Sequence, residues 1–257
     1  MRKEALFLVI IVFSFSITSF GLNEKKTFSA VKVTSAPKID GKLDDEIWNN
    51  IPVASDFIQY SPYNGNKASF RTEVKVIYDQ TALYIAAMMY DPNPDSILTV
   101  LGERDADRNL NADHFSFDIN PFNDGVNGMT FKVSASNVKT DKKRTPSARH
   151  GSDTNWDAVW KSEVDINAEG WSVELRIPYS AIRFSDAEVQ VWGVNFWREI
   201  RRKREWSTWN YVDNEIGNSF NYLGDLQGIN SIDPPFRLSF TPYLSGYLEK
   251  SSVSNSW

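Results

Sequence analysis

The sequence predicts an all-β protein, an antiparallel β-sandwich with few short helices. Three observations carry that prediction. Apolar residues recur with a period of two in segment after segment, as a strand with one buried and one wet face requires. Turn-forming groups, Asp91-Pro92-Asn93-Pro94, Asn123-Asp124-Gly125 and Glu169-Gly170, separate these segments. Helical signals are confined to residues 43–51, with Asp40 or Asp44 as a cap, and residues 178–184. A chain of 257 residues is long enough to bury a proper core.

Taken in order, the chain opens on Arg2 and Lys3, and nine uninterrupted apolar residues run from Ala5 to Phe13. Ser19-Phe20-Gly21 then supplies the small residues of a cleavage site, so residues 1–21 are expected to be a signal peptide. A bilayer span needs about 20 apolar residues, more than this run has. Residues 22–235 are assigned to the sandwich. Phe70, Thr72, Val74, Val76 and Tyr78 alternate with Arg71, Glu73, Lys75 and Ile77, and Ala82 to Tyr90 reads as a central strand covered on both faces. Phe115, Phe117 and Ile119 alternate with His114, Ser116 and Asp118. Met129, Phe131 and Val133, then Trp171, Val173, Leu175 and Ile177, repeat the pattern. From residue 237 to 249, Leu238, Phe240, Pro242, Leu244, Gly246 and Leu248 alternate with Ser239, Thr241, Tyr243, Ser245 and Tyr247. That dyad suits an edge strand of the sandwich, where Pro242 fits, or an outer-membrane barrel strand of about ten residues. Residues 236–257 are therefore expected to begin a further β-rich region, and the chain to be a fragment.

Composition narrows the chemistry. There is no cysteine, which excludes disulfides, Cys-ligated zinc or iron–sulfur centres, and a thiol nucleophile. The only histidines, His114 and His150, exclude multi-His metal sites. A net charge of −5 argues against nucleic acid as a partner. The surplus is tryptophan: of nine, seven lie between Trp156 and Trp209.

Four stretches are candidates for function. The acidic run Asp40-Gly41-Lys42-Leu43-Asp44-Asp45-Glu46-Ile47-Trp48 is read as a turn and a short capped helix packed on the sandwich. Around residues 102–128, Asp118, Asn120, Asn123, Asp124 and Asn127 crowd a loop with oxygen ligands, which makes a structural calcium the one weak cofactor expectation. Many carboxylates are present, but no two can be paired as a glycosidase requires. Among the tryptophans, Trp156, Trp206 and Trp209 sit beside Asn, Asp, Ser and Thr, a wetter setting than that of Trp171 and Trp192. An exposed indole offers a stacking surface for a pyranose, with polar neighbours to bond its hydroxyls. The basic run Arg198-Glu199-Ile200-Arg201-Arg202-Lys203-Arg204-Glu205 is read as a solvated hairpin tip.

These motifs together resemble the family 9 carbohydrate-binding modules. Ile39-Asp40-Gly41-Lys42-Leu43-Asp44-Asp45-Glu46-Ile47-Trp48, Thr81-Ala82-Leu83-Tyr84-Ile85-Ala86 and the acidic strand from Asp113 to Ile119 carry the likeness. So does Gly170-Trp171-Ser172-Val173-Glu174-Leu175-Arg176-Ile177-Pro178-Tyr179. With Ile182-Arg183-Phe184, Trp192-Gly193-Val194-Asn195-Phe196 and Arg198, the chain is similar to one subgroup, at the amino terminus of large exported Bacteroidetes-type proteins with a carboxy-terminal β-barrel region.

The resemblance implies a non-catalytic sandwich that clamps a sugar between two indoles, with Arg, Glu, Asn and Gln on its hydroxyls. The residues expected to bind are Trp156, Trp160 and Trp209, with Arg104 just ahead of the acidic strand and Glu205. The expected partners are a carbohydrate and a barrel region of the same protein, at the periplasm, outer membrane or cell surface. The alternative is an accessory domain of an outer-membrane barrel with no sugar ligand; a glycoside hydrolase is a third reading.

Overall fold

A computed structural model describes residues 25–106, 110–144, 152–215 and 218–235, with 242–243 and 245–246. Residues 1–21, expected from the sequence to be a signal peptide, and most of the alternating segment 237–249 lie outside these residues. Along the chain the strands are β1 (Thr27–Ser29), β2 (Val31–Lys32), β3 (Ile58–Ser61), β4 (Thr72–Tyr78), β5 (Ala82–Tyr90), β6 (His114–Asn120) and β7 (Gly128–Ser134). Then follow β8 (Lys139–Arg144), β9 (Ser152–Asp153), β10 (Lys161–Asn167), β11 (Gly170–Pro178), β12 (Val189–Ile200), β13 (Glu205–Thr208) and β14 (Gly224–Asn230).

They form the two layers of a sandwich. The larger sheet runs β1-β14-β12-β6-β7-β8-β9, with β13 and β3 added alongside β12; the smaller runs β10-β11-β5-β4-β2. The sequence expectation for Ala82–Tyr90 holds: β5 is the middle strand of the smaller sheet and is buried on both faces. Between the layers lies one apolar core, with Val74, Val76, Leu83, Ile85 and Val173 facing Phe115, Phe117, Phe131, Trp192, Val194 and Phe196.

The pairing is antiparallel except at β1 with β14 and β2 with β4. These two short strands are consecutive pieces of one extended segment that borders both sheets, and its direction makes each pairing parallel. The segment lies close against Gly228, whose φ is +83° and whose missing Cβ would stand 2.6 Å from the Ala30 carbonyl oxygen. Only glycine accepts both conditions without strain.

The helical expectations shrink to single 3₁₀ turns at Glu46–Trp48 and Tyr179–Ala181. The first belongs to a cover on the outside of the smaller sheet. Trp48, Ile39, Ile77, Ala82, Tyr84 and Ala86 make a second apolar cluster there. The cover is fastened by Glu174 of β11, whose carboxylate accepts the Asp40 N–H at 2.9 Å, the Gly41 N–H at 3.0 Å and the Trp48 Nε1–H at 2.9 Å. Its acidic side chains thus belong to a structural cover, as the sequence reading held.

The basic run is different from the expected solvated tip. Arg198 is fully buried and reaches across the sandwich, donating to the Arg71 carbonyl at 2.9 Å, Thr72 Oγ1 at 3.2 Å and the Tyr90 carbonyl at 2.8 Å. Burial pulls its guanidinium down to about 10. Arg202 grips Asp91 with both terminal nitrogens, at 2.8 and 2.7 Å. Only the turn Arg201–Lys203 forms a tip, because strand alternation carries Arg198 inward next to Phe196.

Candidate functional site

Four of the five residues selected from sequence are taken up by packing, hydrogen bonds or salt bridges. Trp209 is 3% exposed, wedged edge-on against Phe28 at 6.0 Å and tilted against Phe196 at 5.6 Å. Its polar neighbours did not signal water, because Ser207, Thr208 and Asn210 are buried as well. Glu205 is 2% exposed and accepts hydrogen bonds from the Ser69 N–H and hydroxyl.

Trp160 is in the core edge-on to Phe131, and its Nε1–H donates to Asp141 at 3.1 Å. Asp141 also receives the Ala158 N–H at 2.6 Å and the Arg104 guanidinium. Arg104 further pairs with Asp157 and the Ala158 carbonyl, so it braces the loop ahead of β10. Trp156 lies on the same side, half-buried and edge-on to Phe131 at 6.0 Å. The structure brings Arg104, Trp156 and Trp160 together around Asp141 and Phe131, and places Trp209 and Glu205 elsewhere.

The oxygen-rich loop is satisfied internally. Despite the cost of burial, Asp124 is held down to about 2 by the Asn127 and Val126 N–H groups and by the Asn120 and Asn127 side chains. Among the described residues no three His, Cys, Asp or Glu converge as a cation cage.

Two other indoles stand at an open groove. On β12 the alternation that buries Trp192, Val194 and Phe196 turns Asn195, Trp197 and Glu199 to the opposite face. Trp197 pairs in register with Thr208 and Glu199 with Trp206, so Trp206 is the diagonal neighbour of Trp197 on that face. Both indoles are half-buried, and Tyr60 of β3 meets Trp197 edge-on at 5.3 Å. They line one side of a groove of about 530 Å³ on the outside of the larger sheet. Its floor and far side come from β6, β7 and β8: Ser116, Asp118, Thr130, Lys132, Lys142 and Arg144.

Register produces this row. Trp197 stands opposite Ser116, which is opposite Lys132; Asn195 stands opposite Asp118, which is opposite Thr130 and then Lys142. Asp118 is the hub. Its Oδ2 accepts the Trp197 Nε1–H at 2.8 Å and its Oδ1 accepts the Thr130 hydroxyl at 2.5 Å. Burial pushes its carboxyl above the ordinary range, against the pull of those bonds and of Arg144 and Lys142. The carboxylate thereby holds the Trp197 ring edge in place. The Lys132 ammonium stands 5.0 Å over the Trp206 ring, a cation–π contact, and 3.8 Å from Glu199.

Another groove, of about 380 Å³, lies outside the smaller sheet and is lined by charges of both signs, Lys42, Glu73, Lys75, Asp165 and Glu169 among them. It carries Tyr90 but no indole. Of these two grooves only the first pairs two indoles with a polar row, the chemistry of sugar recognition. The parity of Trp197 against core residue Phe196 was available in the sequence; that of Trp206 was hidden, because β13 buries the polar Glu205 and Ser207 on its inner side.

Solved structures share this architecture. A carbohydrate-binding module family 9 from Caldicellulosiruptor kristjanssonii, in complex with cellotriose, superposes with a TM-score of 0.55 at 21% identity, covering 86% of this chain and 100% of that one. The module from the same organism in complex with glucose gives 0.55 at 20% identity, covering 79% and 95%. A structure from Bacteroides uniformis gives 0.63 at 14% identity, covering 79% and 99%. A search of curated proteins returns no match. The sequence model described as "Carbohydrate family 9 binding domain-like" matches residues 39–213, more than half of the chain, and the chain belongs to that family.

Proposed function

We propose that the chain is a non-catalytic carbohydrate-binding module whose sugar lies in the groove beside Trp197 and Trp206. The observation that carries this reading is the pair of half-buried indoles beside the polar row Ser116, Asp118, Thr130. Apolar ring faces supply contact area at low entropic cost, and the hydroxyls and charged groups fix orientation. Family membership and the two fold relatives bound to cellotriose and glucose favour the same class of ligand. A binding role rather than hydrolysis is supported by Asp118. It is the one carboxylate lining the groove among the described residues, and both its oxygens are engaged, whereas glycoside hydrolysis takes two carboxyl groups.

The reading extends to the ends of the sequence. Residues 1–21 act as an export signal, and residues 236–257 open a β-rich, barrel-like region of the kind found in the Bacteroidetes-type subgroup. The apolar run from Ala5 to Phe13 and the dyad pattern of 237–249 support this. The module would then work in the periplasm, at the outer membrane or on the cell surface.

The test is titration of intrinsic fluorescence with glucose and cellotriose. A saturable change is expected, abolished in Trp197→Ala and in Trp206→Ala and retained in Trp156→Ala. A flat response across a broad glycan panel removes the sugar-binding reading.

A further inference from the structure

The groove runs across the strands of the larger sheet rather than along them. Residues from seven strands line it, in the order β3-β13-β12-β6-β7-β8-β9, with Tyr60 and Ser61 at one end and Ser152 at the other. Adjacent strands lie about 4.8 Å apart, so about 29 Å of sheet separates the backbones of the two end strands. Two rails flank this line. On one side the Lys132 ammonium lies 5.0 Å over the Trp206 ring and 3.8 Å from Glu199. On the other, Arg144 stands opposite Gly128 and rests over the Phe220 ring at 4.7 Å. Register sets Ser116, Asp118 and Thr130 between the rails as a floor.

The uncommitted polar groups are spread along the length of the groove. Asp118 is engaged by Trp197 and Thr130. Among the described residues, the hydroxyls of Tyr60 and Ser61 at one end, Ser116 in the middle and Ser152 at the far end make no hydrogen bond. A hydroxyl both donates and accepts, which matches the hydroxyls of a neutral sugar. From β3 to β6, and again from β6 to β9, there are about 14 Å of sheet. One pyranose ring covers little more than a single strand spacing and cannot meet hydroxyls so far apart. A β-1,4-linked chain can, because each unit advances it by close to one strand spacing. The volume agrees, since about 530 Å³ is several times that of one pyranose.

We infer that the groove takes a linear saccharide laid across the strands, several β-1,4-linked pyranose units at once, and not a single sugar. This rests on the groove being the saccharide site. Units beside Trp197 and Trp206 gain apolar contact, while units toward β3 and β9 exchange hydrogen bonds with the hydroxyls at the two ends.

Glucose, cellobiose, cellotriose and cellohexaose make the test, read by fluorescence titration at equal concentrations of chains. Affinity is expected to rise with length, with cellohexaose binding more than about tenfold tighter than glucose. A gain of up to about sixfold is statistical for a chain that carries six copies of one unit, so only the excess reports simultaneous contacts. In the double variant Tyr60→Phe/Ser152→Ala, checked for folding by circular dichroism, the ratio of the two affinities should fall about fivefold or more, since one hydrogen bond is lost at each end. Two results overturn the inference and leave the groove reading standing: a Trp197-dependent response in which cellohexaose gains tenfold or less over glucose, or a length dependence that the double variant keeps unchanged. A response that survives both Trp197→Ala and Trp206→Ala overturns the groove reading and the inference together. No response to any of the four chains overturns the inference, and the groove reading falls with it if a broad glycan panel is flat as well.

Discussion

At Asp113 burial outweighs two neighbouring guanidinium groups. The side chain has no exposed surface, and only its Oδ1 has a partner, the Arg201 N–H at 3.1 Å. Desolvation pushes it up to about 6, against that bond and the charges of Arg198 and Arg202. A carboxyl with a raised folded-state pKa binds its proton more tightly when folded. Its contribution to stability is therefore complete below the ordinary carboxylate pKa and is lost as pH rises toward about 6. The shift corresponds to about 3 kcal/mol. Urea titrations from acid to neutral pH should give Asp113→Asn a flatter decline of stability than the parent over that window. Identical slopes would mean that Asp113 titrates as an exposed acid. The slope is the measure, because the substitution also removes a negative neighbour from buried Arg198. Residues of this kind explain what was illegible in the sequence. Asp113, Glu174, Arg198 and Glu205 look like surface residues and are buried with partners distant in the chain. Trp209 was misjudged for the same reason, since its polar neighbours are interior.

Elements were legible where one face is apolar and the other polar, and obscure where that contrast is missing. β4, β6, β7 and β11 follow the alternation that the sequence shows. β8, with Lys139, Thr140, Asp141, Lys142, Lys143 and Arg144, has no apolar face; it is a strand because β7 offers it a partner edge. Residues 43–51 promised a short helix and instead belong to an irregular cover, because Trp48, Ile39 and the Glu174 bonds fix it to the smaller sheet better than a free-standing helix could. Trp48 is 1% exposed, so Trp48→Ala opens a large cavity and should cost about 3–5 kcal/mol in urea unfolding. Trp48→Phe keeps most of the volume and loses the bond to Glu174, for about 1–3 kcal/mol. If both variants unfolded with the parent midpoint, the cover would be a detachable flap rather than part of the fold.

For the whole molecule, the decisive matter is how the two sheets are joined. The core is shared by both, but three polar ties also cross between them. The β1–β2 segment bonds to each sheet, through the Ala30 N–H to the Gln227 carbonyl at 2.9 Å and the Val33 N–H to the Tyr78 carbonyl at 2.8 Å. The Tyr78 hydroxyl, on the smaller sheet, donates to the Gly228 carbonyl of β14 at 2.8 Å and accepts the Asn230 N–H at 3.1 Å. Arg198 crosses in the other direction, from β12 to the backbone of residues 71 and 90. Neither sheet can leave the other without exposing apolar core and stranding buried polar groups, which makes partial unfolding costly. Tryptophan fluorescence and far-UV circular dichroism should therefore report one coincident transition in urea. Tyr78→Phe should shift its midpoint downward by about 1 kcal/mol without splitting it, since it deletes one tie and leaves the core intact. Two separated transitions in the parent would show that the sheets are independent units. The groove would then have to be assigned to the larger sheet alone, because every strand that lines it, β3, β6, β7, β8, β9, β12 and β13, belongs to that sheet.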